Sequence, residues 1–295
     1  MNAPPPPLAP SCPDVTLTPA DARYPEEFRD LGTDAPRQLF ARGTLDVLDR
    51  RPRVAVVGTR RATAYGLRVT RELAGAFARA GAVVVSGMAS GIDAAAHRAT
   101  LDAGGITIGV LGTGLDQVYP KAHRGLQGEV AARGLLITEL YHDDHGMKFT
   151  FIHRNRLIAA MCSVVIVTEA PERSGALNTA NHALDLGRTV AAVPGPIDQP
   201  QSVGANAVIR DGGTIITCIE DALALAGLTP PPRVPRGDPD GDAGRVWKAL
   251  AHGGLDIDAL CTSTGLPANQ CLAAVTELEV AGSIECALSG VIRRR

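Results

Sequence analysis

Seven short apolar runs, rich in valine and isoleucine, recur between residues 54 and 217 and constrain the fold more than any other feature. None shows the alternation of a strand with one wet face, so each predicts a strand buried on both faces. Helical stretches with apolar residues at three- and four-residue spacing separate them. Repeated strand–helix units predict an α/β fold, an extended Rossmann-like, doubly wound and mostly parallel sheet. The strands are predicted at 54–57, 82–86, 106–112, 135–139, 164–169, 189–195 and 214–217.

The rest of the chain divides by composition. Residues 1–13 are proline-rich and predict a disordered tail without the pattern of a secretory signal. Residues 14–50 predict a partly helical N-terminal extension to a Rossmann-like domain at 51–228. Proline, glycine and aspartate in 229–244 indicate a linker. Residues 245–295 predict three short helices and a hairpin, the pattern of a small winged-helix domain.

Cysteine usage and hydropathy predict a cytoplasmic protein. The six cysteines are scattered without zinc spacing, which favours reduced thiols over a disulfide framework. No apolar run is long enough to span a membrane. The loop His142–His145 contains residue types that bind metals, but a solvated loop is the favoured interpretation. The sequence therefore predicts no metal and no cofactor.

Charge restricts any nucleic-acid site to local patches, because the formal net charge is −2. Seven arginines and no acidic residue lie between Arg50 and Arg71. Lys148, Arg154 and Arg156 form a second basic stretch without an acid. Aromatic residues make up only 3% of the chain, which argues against a broad platform that stacks successive bases.

Three glycine-containing turns follow predicted strands: Gly58–Arg60, Ser86–Asp93 and Glu172–Ala180. At the carboxyl edge of a parallel sheet, such turns present helix N-termini to anions. In the first, Arg60 stands where a dinucleotide-binding turn needs a second glycine. Its side chain would fill the space of a buried pyrophosphate, yet its guanidinium can donate two hydrogen bonds to a phosphate. The turn thus predicts phosphate contacts other than those of NAD.

For several further candidate residues, the sequence allows a structural role as well as contact with DNA. Arg154 and Asn155, before an apolar helical run, could grip a phosphate backbone, whereas Arg156 suits either a phosphate or a carboxylate partner. Lys121 is a candidate phosphate contact. Phe149 and Phe151 are expected in the core, with base stacking as the alternative, and Asp93 is expected to be a helix-start carboxylate rather than a base.

The C-terminal segment contains a helix–turn–helix pattern whose second helix, 267–281, carries two glutamates and no lysine or arginine. Such a helix would bring negative charge to a DNA groove. A protein-contact or regulatory role is therefore favoured over duplex binding. The sequence contains neither a nucleophile elbow nor a P-loop, so no catalytic residue is predicted.

Several stretches together and in order closely resemble the DNA-processing protein A family (DprA/Smf): VVGTRRATAYG, SGMASGIDAAAH, GTGLDQVYPKAH, FIHRNRLIAA, SGALNTANHALDLGRTVAAVPG and GANAVIRDGG. The resemblance implies an extended Rossmann-like protein that binds single-stranded DNA without turnover. It also implies protection of incoming strands during natural transformation, loading of the RecA recombinase for homologous recombination, and a homodimer. Thr63 stands where the family usually has serine, and FTFIH replaces its usual FP.

Matching the motifs residue by residue places the family's pocket arginine at Arg60 and a pocket lysine at Lys121. With the turns and basic residues above, the predicted DNA contacts are Gly58, Thr59, Arg60, Arg61, Thr63, Ser86, Gly87, Ser90, Gly91, Lys121, Lys148, Arg154, Asn155, Ser174, Gly175 and Thr179.

Two other functions compete with a non-enzymatic strand-binding protein. A nucleotide hydrolase or phosphoribohydrolase could use a related sheet, although PGPID at 194–198 lacks the glycine-rich turn associated with such enzymes. A transcription regulator could use the winged helix on duplex DNA.

Overall fold

The computed structural model describes residues 14–229, 239–280, 283–287 and 290–294. The chain divides into two compact units, residues 1–231 and 232–295. The predicted tail 1–13 and the linker part 230–238 lie outside the described residues. Helix α8 begins at Gly241, so the last four residues of the predicted linker, 241–244, are helical instead.

The first unit is built on one nine-stranded sheet of order β1-β2-β6-β5-β4-β3-β7-β8-β9. All seven predicted strands are present and pair in parallel, which confirms the predicted α/β fold class. The strands span Val15–Leu17 (β1), Leu39–Gly43 (β2), Arg53–Gly58 (β3), Val83–Ser86 (β4), Ile106–Val110 (β5), Leu135–Thr138 (β6), Val164–Glu169 (β7), Thr189–Ala192 (β8) and Thr214–Ile215 (β9).

The N-terminal extension contributes two strands that the sequence pattern did not predict. β1 pairs antiparallel with β2, and β2 pairs antiparallel with β6. The strands are only three and five residues long, and 3-10 helices at Glu26–Asp34 and Leu45–Asp49 follow them. The expected helical character is therefore confined to these short turns.

Helices cover both faces of the sheet. Along β3, Val54 and Val56 pack against α1, while Ala55 and Val57 lie in the cluster that contains α4 and α5 residues, as the two-residue period of a strand requires. The helices of this unit are Ala64–Arg79 (α1), Ile92–Asp102 (α2), Arg124–Arg133 (α3), Lys148–Ala160 (α4), Gly175–Asp185 (α5), Val203–Arg210 (α6) and Ile219–Leu225 (α7).

The second unit has its own core. Helices Gly241–Ala249 (α8), Ile257–Thr264 (α9) and Ala268–Val280 (α10) pack around Val246, Leu260 and Leu278. Strands Ile284–Cys286 (β10) and Ile292–Arg294 (β11) form the predicted hairpin. No helix in the described parts of the chain is both long and apolar enough to cross a bilayer.

Candidate functional site

A cleft of about 960 Å³ opens where the loops after β3 and β7 meet α4 and the start of α5. β3 and β7 are neighbours in the sheet although four strand–helix units separate them in sequence, so this is the topological switch point where open α/β sheets bind ligands. Ten of the sixteen predicted contacts line it: Gly58, Thr59, Arg60, Arg61, Lys148, Arg154, Asn155, Ser174, Gly175 and Thr179.

The other six predicted contacts lie outside the main cleft. Gly87 and Ser90 line an adjoining recess of about 60 Å³, to which Arg60 also contributes. Thr63, Ser86, Gly91 and Lys121 line neither space. Lys121 is exposed in a 3-10 turn two residues beyond Tyr119, a residue that does line the cleft.

Exposed cations dominate the wall of the cleft. Arg60, Arg61, Lys148 and Arg173 all line it with exposed side chains. In the described parts of the chain, none of the four forms an ion pair. Arg173 was missed at the sequence level, although its place directly before the Ser-Gly helix start is a recognisable signal. The cleft thus presents unneutralised positive charge to a ligand.

The arginine-rich stretch 50–71 does not form one patch. Arg51 and Arg53 both pair with Glu27 near the start of β3, and Arg53 is buried. Arg60 and Arg61 follow the other end of the same strand. A strand of six residues separates the two groups, so only the second group reaches the cleft.

The first turn of α5 is open to the cleft. Ser174 caps this helix, because its hydroxyl oxygen accepts a hydrogen bond from the Ala176 N–H at 3.2 Å. The hydroxyl proton can still be donated to a ligand. Gly175 is exposed, and a Cβ there would meet nothing closer than 3.8 Å, so its backbone is accessible. The backbone at this turn is thus open to a ligand, and anion binding there stays a prediction.

The N-terminus of α1 is occupied by a carboxylate of the protein itself. Glu169, the last residue of β7, accepts hydrogen bonds from the Thr63 N–H at 2.8 Å and the Thr63 hydroxyl at 2.6 Å. Thr63 in turn caps the helix through the Gly66 N–H. The Thr63 hydroxyl is therefore engaged with Glu169 and with its own helix, and its contact with DNA stays a prediction.

In the second turn, Ser86–Asp93, a carboxylate of the protein again occupies the backbone N–H groups. Asp93, in the first turn of α2, accepts hydrogen bonds from the Gly87 and Ala89 N–H groups at 3.2 and 3.3 Å. Burial raises the pKa of Asp93, and the positive charge of Arg154 opposes that rise. Ser86 is fully buried and donates its hydroxyl to the Val56 carbonyl at 2.7 Å, so it cannot contact DNA as predicted. Asp93 is the expected helix-start carboxylate.

Gly91 is needed for backbone geometry rather than for ligand contact. It begins α2 with a φ of +77°, and a Cβ there would lie 2.4 Å from the Thr59 carbonyl oxygen. The Ile92 N–H donates to that carbonyl at 3.2 Å. Gly91 thus brings the second turn against the first.

Arg154 is buried in the wall of the cleft, where its guanidinium binds backbone carbonyls of the protein. Helix α4 begins at Lys148, earlier than predicted, so Arg154 lies inside the helix and is only 5% exposed. Its guanidinium donates to the carbonyls of Gly87, at 2.8 Å, and Val110. Burial lowers the pKa of Arg154 to about 10, although the negative charge of Asp93 acts in the opposite direction. Arg154 thus lines the cleft from a buried position, and its contact with a phosphate stays a prediction.

The residues after Arg154 are also structural. Asn155 is buried and donates to the Gly175 carbonyl at 3.1 Å, which ties α4 to the open turn of α5. Arg156 binds both carboxylate oxygens of Glu139, at 2.6 and 2.7 Å, so the carboxylate alternative is correct. Thr179 is buried and donates to the Gly175 carbonyl at 3.4 Å within its own helix.

An aromatic surface adjoins the cations. The rings of Tyr119 and Phe151 lie 4.9 Å apart, and the Arg60 guanidinium carbon is 5.8 Å from the Phe151 centroid. Phe149 is 64% exposed. The expectation that both phenylalanines belong to the core is wrong, because the early start of α4 places them in its exposed first turn. Phe151 can therefore pack against a base or a sugar.

The loop at 142–145 contributes to an ion-pair network. Asp14, Asp116 and His142 bring three potential ligand atoms within 4.8 Å of one another. Arg42 already binds both carboxylates at 2.6 Å, and His142 lies 3.1 Å from Asp14. A cation at this point would have to displace the arginine, so a network of charged side chains describes the cluster best.

His97, behind the second turn, is expected to make folding stability depend on pH. Its Nδ1 bonds to Thr107 at 2.7 Å, and burial lowers its pKa to about 3. Between pH 6.5 and 3 the unfolded chain therefore binds one more proton at this residue than the folded chain. His97 should cost about 1.4 kcal/mol of unfolding free energy per pH unit as the pH falls below 6.5.

Urea unfolding of the wild type and of His97→Asn, measured at several pH values from 7 to about 5, checks this. We expect the difference between the two proteins to change with pH, since asparagine does not titrate. A difference independent of pH would contradict the assignment.

Comparison with known proteins places this geometry in a family. The family model "DNA recombination-mediator protein A" matches residues 15–227, which include the whole cleft. The chain belongs to the DNA recombination-mediator protein A family. A second model, the DprA winged helix domain, matches residues 230–287. The resemblance seen in the sequence motifs is thereby confirmed.

Members of the DNA recombination-mediator protein A family are similar over most of their length. A putative DNA processing protein DprA of Mycobacterium tuberculosis is 40% identical, covering 92% of this chain and 74% of its own. DprA of Streptococcus pneumoniae has a solved structure with a TM-score of 0.68 and 41% identity over 71% of this chain and 73% of its own. A Helicobacter pylori DNA processing protein A, described for its single-stranded DNA binding mode, matches with a TM-score of 0.65 and 32% identity over 70% of this chain and 93% of its own.

Proposed function

We propose that this protein binds single-stranded DNA along the cleft, through the phosphate backbone and without sequence preference. The observation that carries the proposal is a set of four exposed cations beside the open first turn of α5, none of which forms an ion pair within the described residues. Exposed arginine and lysine side chains can bind the phosphates of a strand that lies along the rim of the cleft. The single-stranded DNA binding of the Helicobacter pylori relative supports the same ligand.

The aromatic surface favours a single strand over a duplex. Phe151 and Tyr119 lie beside Arg60, where a base from an unpaired strand can turn toward them. Duplex DNA keeps its bases stacked and exposes only their edges, so the rings would find no face to pack against. With few aromatic residues near the cations, binding depends mainly on phosphates.

Fluorescence anisotropy of a labelled oligo-dT tests the proposal, with unlabelled duplex as competitor. We expect the single strand to bind in preference to the duplex. If all four exposed cations contact phosphates, the slope of log affinity against log salt is about −3, roughly a fiftyfold loss over a fourfold rise in salt. Binding that ignores salt, or that duplex abolishes at equal concentration, would contradict the proposal.

We further propose that the protein protects incoming strands and loads RecA onto them as a homodimer in natural transformation and homologous recombination. Family membership supports this role. A RecA pull-down without DNA, comparing the wild type with Arg60→Ala, tests whether RecA contact is separable from strand binding; we expect both to retain RecA. Sedimentation should give twice the 30.6 kDa chain mass.

We propose no catalytic turnover. The two carboxylates lining the cleft are Asp93, whose oxygen is engaged with backbone N–H groups, and the exposed Glu172. Incubation with nucleoside monophosphates should release neither base nor phosphate. Release that Asp93→Asn abolishes would favour a hydrolase instead.

A further inference from the structure

The N-terminus of α1 is the position at which the first strand–helix turn of a dinucleotide-binding sheet holds its pyrophosphate. Here the Glu169 carboxylate fills it. The residue is 3% exposed, and both of its oxygens accept hydrogen bonds from Thr63. A Cβ on Gly66 would lie 2.4 Å from one of these oxygens, so the carboxylate is pressed against the first helical turn.

The Glu169 carboxylate accepts its hydrogen bonds from Thr63, the residue that caps α1, rather than from a basic side chain. Within the described residues, no lysine, arginine or histidine forms an ion pair with it. A negative group beside the N-terminus of a helix is stabilised by the helix dipole and by the free N–H groups. Glu169 thus stands in for the anion that this turn could otherwise bind.

Glu169 also holds the loop that carries Arg60. Its backbone carbonyl accepts the Thr59 N–H at 2.7 Å, while its side chain binds Thr63, so both ends of the loop are attached to one residue. The two arginines between them are exposed toward the cleft. Phosphates are therefore met by side chains at the rim, and the deeper backbone site is closed.

We propose that Glu169 is a specificity-determining residue that excludes the pyrophosphate of free nucleotides and dinucleotides from the N-terminus of α1. A phosphate there would need the same donors and would meet the carboxylate at contact distance. Like charges at that separation repel, and among the described residues no basic side chain pairs with Glu169 to offset them. A polymer that lies across the rim avoids this position. The inference goes beyond strand binding and does not require it.

The test follows the amide resonances of Thr63 and Gly66 in the ¹⁵N-labelled full chain during titration with inorganic pyrophosphate. We expect no change at these two amides in the wild type and a saturable shift in Glu169→Ala, which opens the site. Glu172→Ala is the matched control, because it removes a carboxylate that lines the same cleft, whereas Thr63 donates to Glu169. It should behave like the wild type at both amides.

Two results overturn the proposal: a saturable shift at Thr63 in the wild type, or none in folded Glu169→Ala. If Glu169→Ala does not fold alone, folding restored by saturating pyrophosphate supports the proposal. In that case Glu169→Ser, which keeps a polar atom but leaves the space open, is titrated as well. Failure of both variants to fold even with pyrophosphate also overturns it. Oligo-dT binding is measured separately, so its failure would not be confused with any of these outcomes.

Discussion

Replacing Arg154 by leucine is expected to lower the free energy of unfolding by about 3–5 kcal/mol, the loss typical when one charge of a buried set is removed. Arg154 is 5% exposed, and its guanidinium donates to the carbonyls of Gly87, directly after β4, and Val110, the last residue of β5. Without it, these carbonyls lose their donor, and the buried Asp93 loses the positive charge that offsets its burial. Urea unfolding monitored by far-ultraviolet circular dichroism measures the change.

Arg79→Leu provides the control for Arg154→Leu. Arg79 is exposed in the last turn of α1, and surface substitutions of this kind usually change stability by no more than about 0.5 kcal/mol. If Arg154→Leu lowers the free energy of unfolding no more than Arg79→Leu does, the guanidinium does not stabilise the segments after β4 and β5. That result would favour its predicted contact with DNA.

Arg60→Ala is expected to weaken oligo-dT binding by about 1.5–3 kcal/mol, the range for hydrogen bonds to charged groups. That corresponds to roughly a 10- to 150-fold rise in Kd. Arg60 is exposed in the cleft, lies beside the Phe151 ring and is free of a carboxylate partner in the described residues, so little of its binding capacity is used within the fold. The unfolding free energy should stay within about 0.5 kcal/mol of the wild type.

Arg79→Ala is the matched control for DNA binding. It removes the same charge from the C-terminal end of α1, a helix of 16 residues and about 24 Å in length, whose N-terminus follows the Arg60 loop. We expect its Kd to stay close to that of the wild type. Equal losses for Arg60→Ala and Arg79→Ala would indicate a diffuse effect of net charge and contradict a defined cleft.

Local sequence patterns predicted the secondary structure correctly where a residue's environment depends on its near neighbours in sequence. The valine-rich runs could only be strands buried on both faces, and their parallel pairing followed from the helices between them. β1 and β2 were not predicted because they are short. β1 pairs only with β2 in the described residues, and β2 joins the sheet through β6, about a hundred residues away. Arg60 was predicted to be a phosphate contact because its turn directly follows the end of a strand, where side chains project into the crevice.

The sequence by itself determined the seven parallel strands, the edge of the sheet at which the cleft opens and the basic residues available there. Only the tertiary structure decided which polar groups remain for a ligand. Three polar residues form hydrogen bonds with partners 30 to 106 residues away in sequence. Thr63 donates to Glu169, Ser86 to Val56, and Arg154 to Gly87 and Val110. A buried polar group must find a hydrogen-bond partner, and that partner is chosen by the packing of distant segments, which no local pattern records.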